Sequence, residues 1–152
     1  MNACSVASVA HLIPHAGRML LLEEILQWDE HQLVARTASH LDAGNPLRGA
    51  GVLHSACGIE YAAQAMALHG ALRAAAPSEG GMLASVREVR LFAPSLDASG
   101  EPLQVRARLL SGDARLAMYA FDVQAGAQPL LAGRATVLLD VPPARLALSG
   151  RG

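Results

Sequence analysis

The sequence predicts an α+β domain in which one long central helix is wrapped by an antiparallel sheet. From Ile59 onward, Ala62, Ala63, Ala65, Met66, Ala67, Leu68, Ala71 and Leu72 place apolar side chains all around the helical axis, the pattern of a helix enclosed by other structure. Four later segments are rich in β formers. The turns between them are short, which suits antiparallel neighbours and excludes the long crossovers that parallel pairs need.

Each element follows from local chemistry. Residues 13–22 contain Pro14, which a helix interior excludes, and the run Arg18-Met-Leu-Leu-Leu-Glu-Glu-Ile-Leu leads into either a first strand or a short helix. Residues 32–38 alternate weakly, as a strand does. The stretch Asp42-Ala-Gly-Asn-Pro-Leu-Arg-Gly-Ala-Gly is dense in turn formers and reads as a loop that delivers the chain to the helix. The helix should stop near Ala76, because Pro77 and Gly80-Gly81 follow. Strands are then expected over residues 82–92, 102–110, 115–123 and 130–141, punctuated by Pro94, Ser99-Gly100, Gly112-Asp113 and Ala125-Gly126. In the second of these, Leu103, Val105, Ala107 and Leu109 alternate with Gln104, Arg106 and Arg108, so one face is buried and the other wet. The sheet should hold five or six strands. Residues 1–143 make a single domain, and residues 144–152 a frayed C-terminal tail.

Composition narrows the function classes. A chain of 152 residues is most simply one domain with a core large enough to need no staples. Its 52% apolar content, much of it alanine, implies that some apolar surface is covered in a dimer or higher assembly. Net charge is −1 with arginines spread along the strands, which excludes a nucleic-acid-binding patch. No apolar run is long enough to cross a bilayer, and the opening Met1-Asn-Ala-Cys-Ser-Val-Ala lacks the basic and apolar regions of a signal peptide. Cys4 falls in an N-terminal tail and Cys57 in the core, without disulfide or metal spacing, so a cytoplasmic protein is expected. His11, His31, His40 and His69 have no partner at ligand spacing, and no metal is expected. There is no internal repeat, phosphate-binding glycine loop or dinucleotide fingerprint.

The chemistry concentrates between Gly51 and Ala65. Glu60 and Gln64 interrupt the apolar helix four residues apart and share a face with Cys57 one turn earlier. An enclosed carboxylate has its charged form disfavoured unless a partner compensates, which is how a proton carrier is tuned toward neutral pH. The alternative is a structural acid satisfied by a backbone donor at the helix start. Both readings stand at this point. Tyr61 points about 100° away from Glu60 and is expected to pack or line a tunnel.

The order of these motifs resembles a family: Leu12-Ile-Pro-His-Ala-Gly-Arg-Met-Leu-Leu-Leu, a turn-rich loop, Gly51-Val-Leu, Gly58-Ile-Glu-Tyr-Ala-Ala-Gln-Ala, then four strands. The chain is similar to the hotdog-fold 3-hydroxyacyl-acyl-carrier-protein dehydratases, and within them to the dehydratase-like proteins of aryl polyene and type II polyketide clusters. Met82-Leu-Ala-Ser-Val-Arg-Glu-Val-Arg-Leu-Phe-Ala-Pro-Ser adds to the likeness. The resemblance implies a homodimer or heterodimer of hotdog units joined edge to edge. It implies an acyl carrier protein as partner, with the acyl chain on its phosphopantetheine arm and no other cofactor. The reaction would be reversible dehydration of a β-hydroxyacyl thioester to a trans-2-enoyl thioester. In the family a histidine and a carboxylate share the proton work. Glu60 matches the carboxylate, Gln64 its supporting, substrate-side amide, and His15 the histidine of the Leu-Pro-His opening that braces the site. The amide of Gly58 is the candidate donor to the thioester carbonyl, because free N–H groups and the dipole of a helix converge at its start.

One departure matters. Better-known dehydratases carry their histidine in a Gly-His-Phe-Pro loop, and the matching position here is close to Asn45-Pro46. His54, six residues before Glu60, is the candidate for a substitute base within this chain, the alternative being a loop histidine that makes an ordinary hydrogen bond. Three readings follow: a homodimeric dehydratase using Glu60 and His54; a partner subunit whose missing histidine comes from a second hotdog chain; and a thioesterase, since the same fold hosts thioester hydrolysis and fold alone does not decide chemistry.

Overall fold

A computed structural model describes residues 3–13, 19–74, 82–113 and 115–138. His15, Pro14, the residues following Ala74 where the helix was expected to stop, and the C-terminal tail lie outside the described residues. Among the described residues, seven antiparallel strands form one sheet in the order β1-β2-β3-β5-β6-β7-β4. They are β1 (Cys4–Ser5), β2 (Glu24–Trp28), β3 (Gln32–Thr37), β4 (Met82–Leu91), β5 (Leu103–Gly112), β6 (Leu116–Ala125) and β7 (Gln128–Leu138). The helix α1 (Gly58–Ala74) lies between β3 and β4 in sequence and carries the chain across the sheet to its far edge.

The sheet exceeds the expected five or six strands because of β1. Cys4 pairs with Ile25 and Ser5 with Glu24, so Cys4 belongs to the sheet and not to a tail. Two residues are too few to leave an alternating pattern in a sequence. The segment left open between strand and helix resolves as β2, whose Ile25 is fully buried. Along β5, Leu103, Val105 and Ala107 are fully buried while the intervening side chains face outward, as their alternation requires.

The helix is covered by the sheet around most of its circumference. Tyr61, Ala62, Ala65, Met66, Leu68 and Ala71 are buried with Leu33, Leu103, Val105 and Phe121 in one core. Glu60, Ala63, Ala67 and Gly70 form a half-buried stripe along one side, at the spacing of one helical face. Enclosure is thus incomplete in the single chain, and Glu60 sits on the incomplete side.

Candidate active site

The helix start is held by the loop that crosses it. Ser55 is buried, its amide donating to the Pro94 carbonyl at 3.2 Å and its hydroxyl to the Ala93 carbonyl. Leu96 donates to the Leu53 carbonyl at 3.0 Å, and His54 pairs with Ser95 as an isolated antiparallel bridge. The backbone of His54 is therefore fixed while its side chain is exposed. Ser55–Cys57 form a 3-10 turn that runs directly into α1.

That turn changes the role of Gly58. Its amide donates back to the Ser55 and Ala56 carbonyls, so it is already used and is not offered to a thioester carbonyl. What requires glycine here is space: a Cβ at position 58 would lie 2.4 Å from Leu131 Cδ2 of β7. The missing side chain lets the helix start lie against β7.

Glu60 occupies the first turn of α1, where the helix dipole favours an acidic side chain. It is half-buried in the protomer, which corrects the expectation of an enclosed acid. Gln64, one turn later, is fully buried. Its Oε1 accepts from the Leu21 amide at 2.9 Å and the Leu22 amide at 3.4 Å, and its Nε2 donates to the Met19 carbonyl. The side chain assigned to the substrate from the sequence is occupied by backbone.

A second polar cluster went unrecognised in the sequence. The Thr37 and Ser39 hydroxyls each donate to the Leu21 carbonyl at 2.6 Å, and Ser39 Oγ shares a hydrogen with the Tyr61 hydroxyl at 3.0 Å. Asn45 is buried; its Nδ2 donates to the Tyr61 hydroxyl at 3.0 Å and the Ser39 carbonyl at 2.9 Å, while its Oδ1 accepts from the Leu47 amide at 2.9 Å. Burial pushes the Tyr61 phenol up from its ordinary value, with the bonds from Ser39 and Asn45 opposing, so Tyr61 acts as a neutral hydrogen-bonding anchor. The one sequence signal was Thr37-Ala-Ser39, two hydroxyls placed where a strand ends and a loop begins.

His40 and His69 are structural. His69 is fully buried, with Nε2 donating to the Asp29 carbonyl at 2.8 Å and Nδ1 accepting from the Tyr119 hydroxyl at 2.8 Å. His40 is fully buried, and its Nε2 donates to the Glu101 carbonyl at 2.8 Å. Burial lowers the pKa of both rings, and it pushes the Tyr119 phenol up to about 12. Among the described residues no group of three or more His, Cys, Asp or Glu side chains could hold a metal ion. No helix among them is long and apolar enough to cross a membrane.

One helix gripped by an antiparallel sheet, with a carboxylate in the helix's first turn, defines a hotdog-fold protein. The family model for ApeP-like proteins, described as ApeP dehydratase, matches residues 7–145, and the chain belongs to that family. No curated protein matches the chain by sequence. Among solved structures, the dehydratase heterocomplex ApeI:P from Xenorhabdus doucetiae superposes with a TM-score of 0.81 at 24% identity, covering 92% of this chain and 95% of that one. A thioesterase from Haemophilus influenzae matches with a TM-score of 0.58 at 16% identity over 87% of this chain and 81% of that one. The PaaI protein of the E. coli phenylacetic acid degradation operon gives 0.57 at 16% identity, covering 75% and 80%. These likenesses concern the fold.

Proposed function

We propose that this dehydratase-family chain acts on β-hydroxyacyl thioesters carried by the phosphopantetheine of an acyl carrier protein, as one half of an assembly with a second hotdog subunit. A base removes the proton α to the thioester carbonyl, the bond to the β-hydroxyl breaks, and an acid protonates the departing oxygen to give water and a trans-2-enoyl thioester. Glu60 is the carboxylate of that exchange. The partner subunit brings the imidazole.

The observation that carries this reading is Asn45. Close to the place where the resemblance puts the histidine of better-known dehydratases, at Asn45-Pro46, the chain carries an amide whose donor and acceptor are both spent on Ser39, Tyr61 and Leu47. A chain built this way keeps its carboxylate and needs an imidazole from elsewhere. Two further features support an assembly. Glu60, Ala63, Ala67 and Gly70 leave a helix stripe that the protomer covers only partly. The edge strand β4 and the residue after it expose Val89, Leu91 and Phe92, which is where a second sheet would join. The similar Xenorhabdus structure is a dehydratase heterocomplex.

A second reading rests on His54, whose exposed side chain makes no hydrogen bond among the described residues. In a homodimer it would supply the imidazole. The deciding experiment purifies the chain alone and again with its hotdog partner, and follows hydroxyacyl-carrier conversion to enoyl-carrier. Turnover only in the mixed assembly supports the partner reading, and full turnover by the chain alone defeats it. Glu60→Gln, which keeps shape but removes the titratable proton, should lower turnover at least roughly a hundredfold in the active assembly. Release of free thiol from an acyl thioester would instead indicate a thioesterase.

A further inference from the structure

We propose that Gln64 is a positioning residue: it latches residues 19–22 to the second turn of α1, and so fixes that segment relative to Glu60 one turn earlier without touching the acyl chain. This inference rests on the proposed dehydratase reading for its kinetic consequence only.

The amide has little left to offer a substrate. A glutamine oxygen accepts two hydrogen bonds, and both are taken, by Leu21 N at 2.9 Å and Leu22 N at 3.4 Å. The nitrogen donates to the Met19 carbonyl. The side chain has 0% exposure, so a ligand could reach it only by displacing these partners.

The segment it holds has no other means of support at those groups. Residues 20–23 lie outside every strand, so the sheet ladder does not satisfy Leu21 N or Leu22 N, yet the Leu21 and Leu22 side chains are 1% exposed in the core. Buried backbone groups must find partners. Gln64 meets both amides and the Met19 carbonyl besides, and Thr37 and Ser39 meet the Leu21 carbonyl. Ser39 in turn shares a hydrogen with Tyr61. Leu21 is thus tied to α1 through Gln64 directly and through Tyr61 by way of Ser39, and Glu60 lies one residue before the Tyr61 attachment and one helical turn before Gln64. Loosening the latch moves the segment relative to Glu60 while leaving the sheet core intact.

Two substitutions test this in the active assembly. Gln64→Met keeps length and removes every hydrogen bond. Amide exchange at Leu21 and Leu22 should speed at least about tenfold relative to Leu68 in the helix, because their only acceptor is gone. The kcat should fall about tenfold or more while KM stays within about twofold, since substrate contacts are untouched. Gln64→Glu adds a specific signature. Ionised, the new carboxylate accepts from Leu21 and Leu22 but opposes the Met19 carbonyl; protonated, it again donates to that carbonyl. The ratio of variant to parent kcat should therefore rise as pH falls from about 8 to about 5.5, through a carboxyl pKa raised by burial. Unchanged protection of Leu21 and Leu22 in Gln64→Met overturns the proposal. So does a loss confined to KM with protection intact, which would make Gln64 a substrate ligand. If Gln64→Met does not fold, the Gln64→Glu ratio decides, and a flat ratio overturns the latch. If no assembly shows dehydratase turnover, the exchange measurement still decides the latch, and only the functional reading fails.

Discussion

The carboxamide of Asn45 donates to the phenol of Tyr61 at 3.0 Å, and this buried pair ties the loop that feeds the helix to the helix's first turn. This contact makes Asn45 part of the frame around the helix start. Replacing Tyr61 with Phe leaves one Asn45 hydrogen and the Ser39 hydroxyl without their shared partner. The expected cost is about 1–3 kcal/mol of stability, the usual penalty for stranding a buried polar group. Denaturant melts of Tyr61→Phe measure it, and an unchanged midpoint would show that water replaces the phenol.

His54 separates the two routes to an imidazole. Its exposed side chain and fixed backbone predict that His54→Ala changes folding stability by no more than about 0.5 kcal/mol. In the mixed assembly, turnover should stay within about threefold of the parent under the partner reading. A loss near a hundredfold with a folded protein assigns the imidazole to His54.

Stability should fall on mild acidification. Burial lowers the folded-state pKa of both His40 and His69 below the ordinary 6.5. The unfolded chain then takes up protons first as pH falls, so stability present above about pH 6.5 is lost progressively toward the depressed folded values. Asp29, Asp97 and Asp113, all held below the ordinary 3.8 by hydrogen bonds, add their own loss only in stronger acid. The denaturant midpoint should therefore drop between about pH 7.5 and pH 5.5. A midpoint that holds or rises over that window contradicts the buried neutral histidines.

Gly58 and Leu131 should behave as a coupled pair. Alanine is favoured over glycine in a helix by about 1 kcal/mol, yet a Cβ here meets Leu131 Cδ2 at 2.4 Å. Overpacking costs typically 1–3 kcal/mol, so Gly58→Ala should destabilise by about 1 kcal/mol net. On a Leu131→Ala background the same change should become neutral or stabilising, and a double-mutant cycle reads the difference. Additive effects would place the contact elsewhere.

Ala50 carries a positive φ of 51°, beside Gly51 at 78°, in the tight turn closed by reciprocal bonds of 2.9 Å between Gly49 and Val52. An L residue with a side chain is strained there by about 1–2 kcal/mol, part of which the greater unfolded-state freedom of glycine offsets. Ala50→Gly should stabilise by about 0.5–1 kcal/mol in thermal or chemical melts. A loss of stability would mean that the turn opens in solution.

Legibility in the sequence followed the size of the repeating signal. The α1 register, the alternation along β5 and the turn-rich loop before the helix were all readable, because many residues report each one. β1 was not, since two residues carry no period and their pairing with β2 is decided by Ile25 and Glu24 far along the chain. Glu60 and Gln64 stood out as polar interruptions of an apolar helix. Their environments did not, because a helix pattern tells which side chains share a face and not what the rest of the chain brings to it.

Sequence alone determined the α+β class, its helix and long strands, the resemblance to dehydratases and the lack of a histidine close to Asn45-Pro46. Those properties reside in local periodicity and residue identity. Tertiary structure decided that Asn45 and Gln64 serve the backbone, that the Gly58 amide closes a turn, and that Glu60 keeps a half-open face. Gln64 depends on partners more than forty residues away and Asn45 on the Tyr61 phenol across the loop, and such partners are chosen only when the chain packs around the helix.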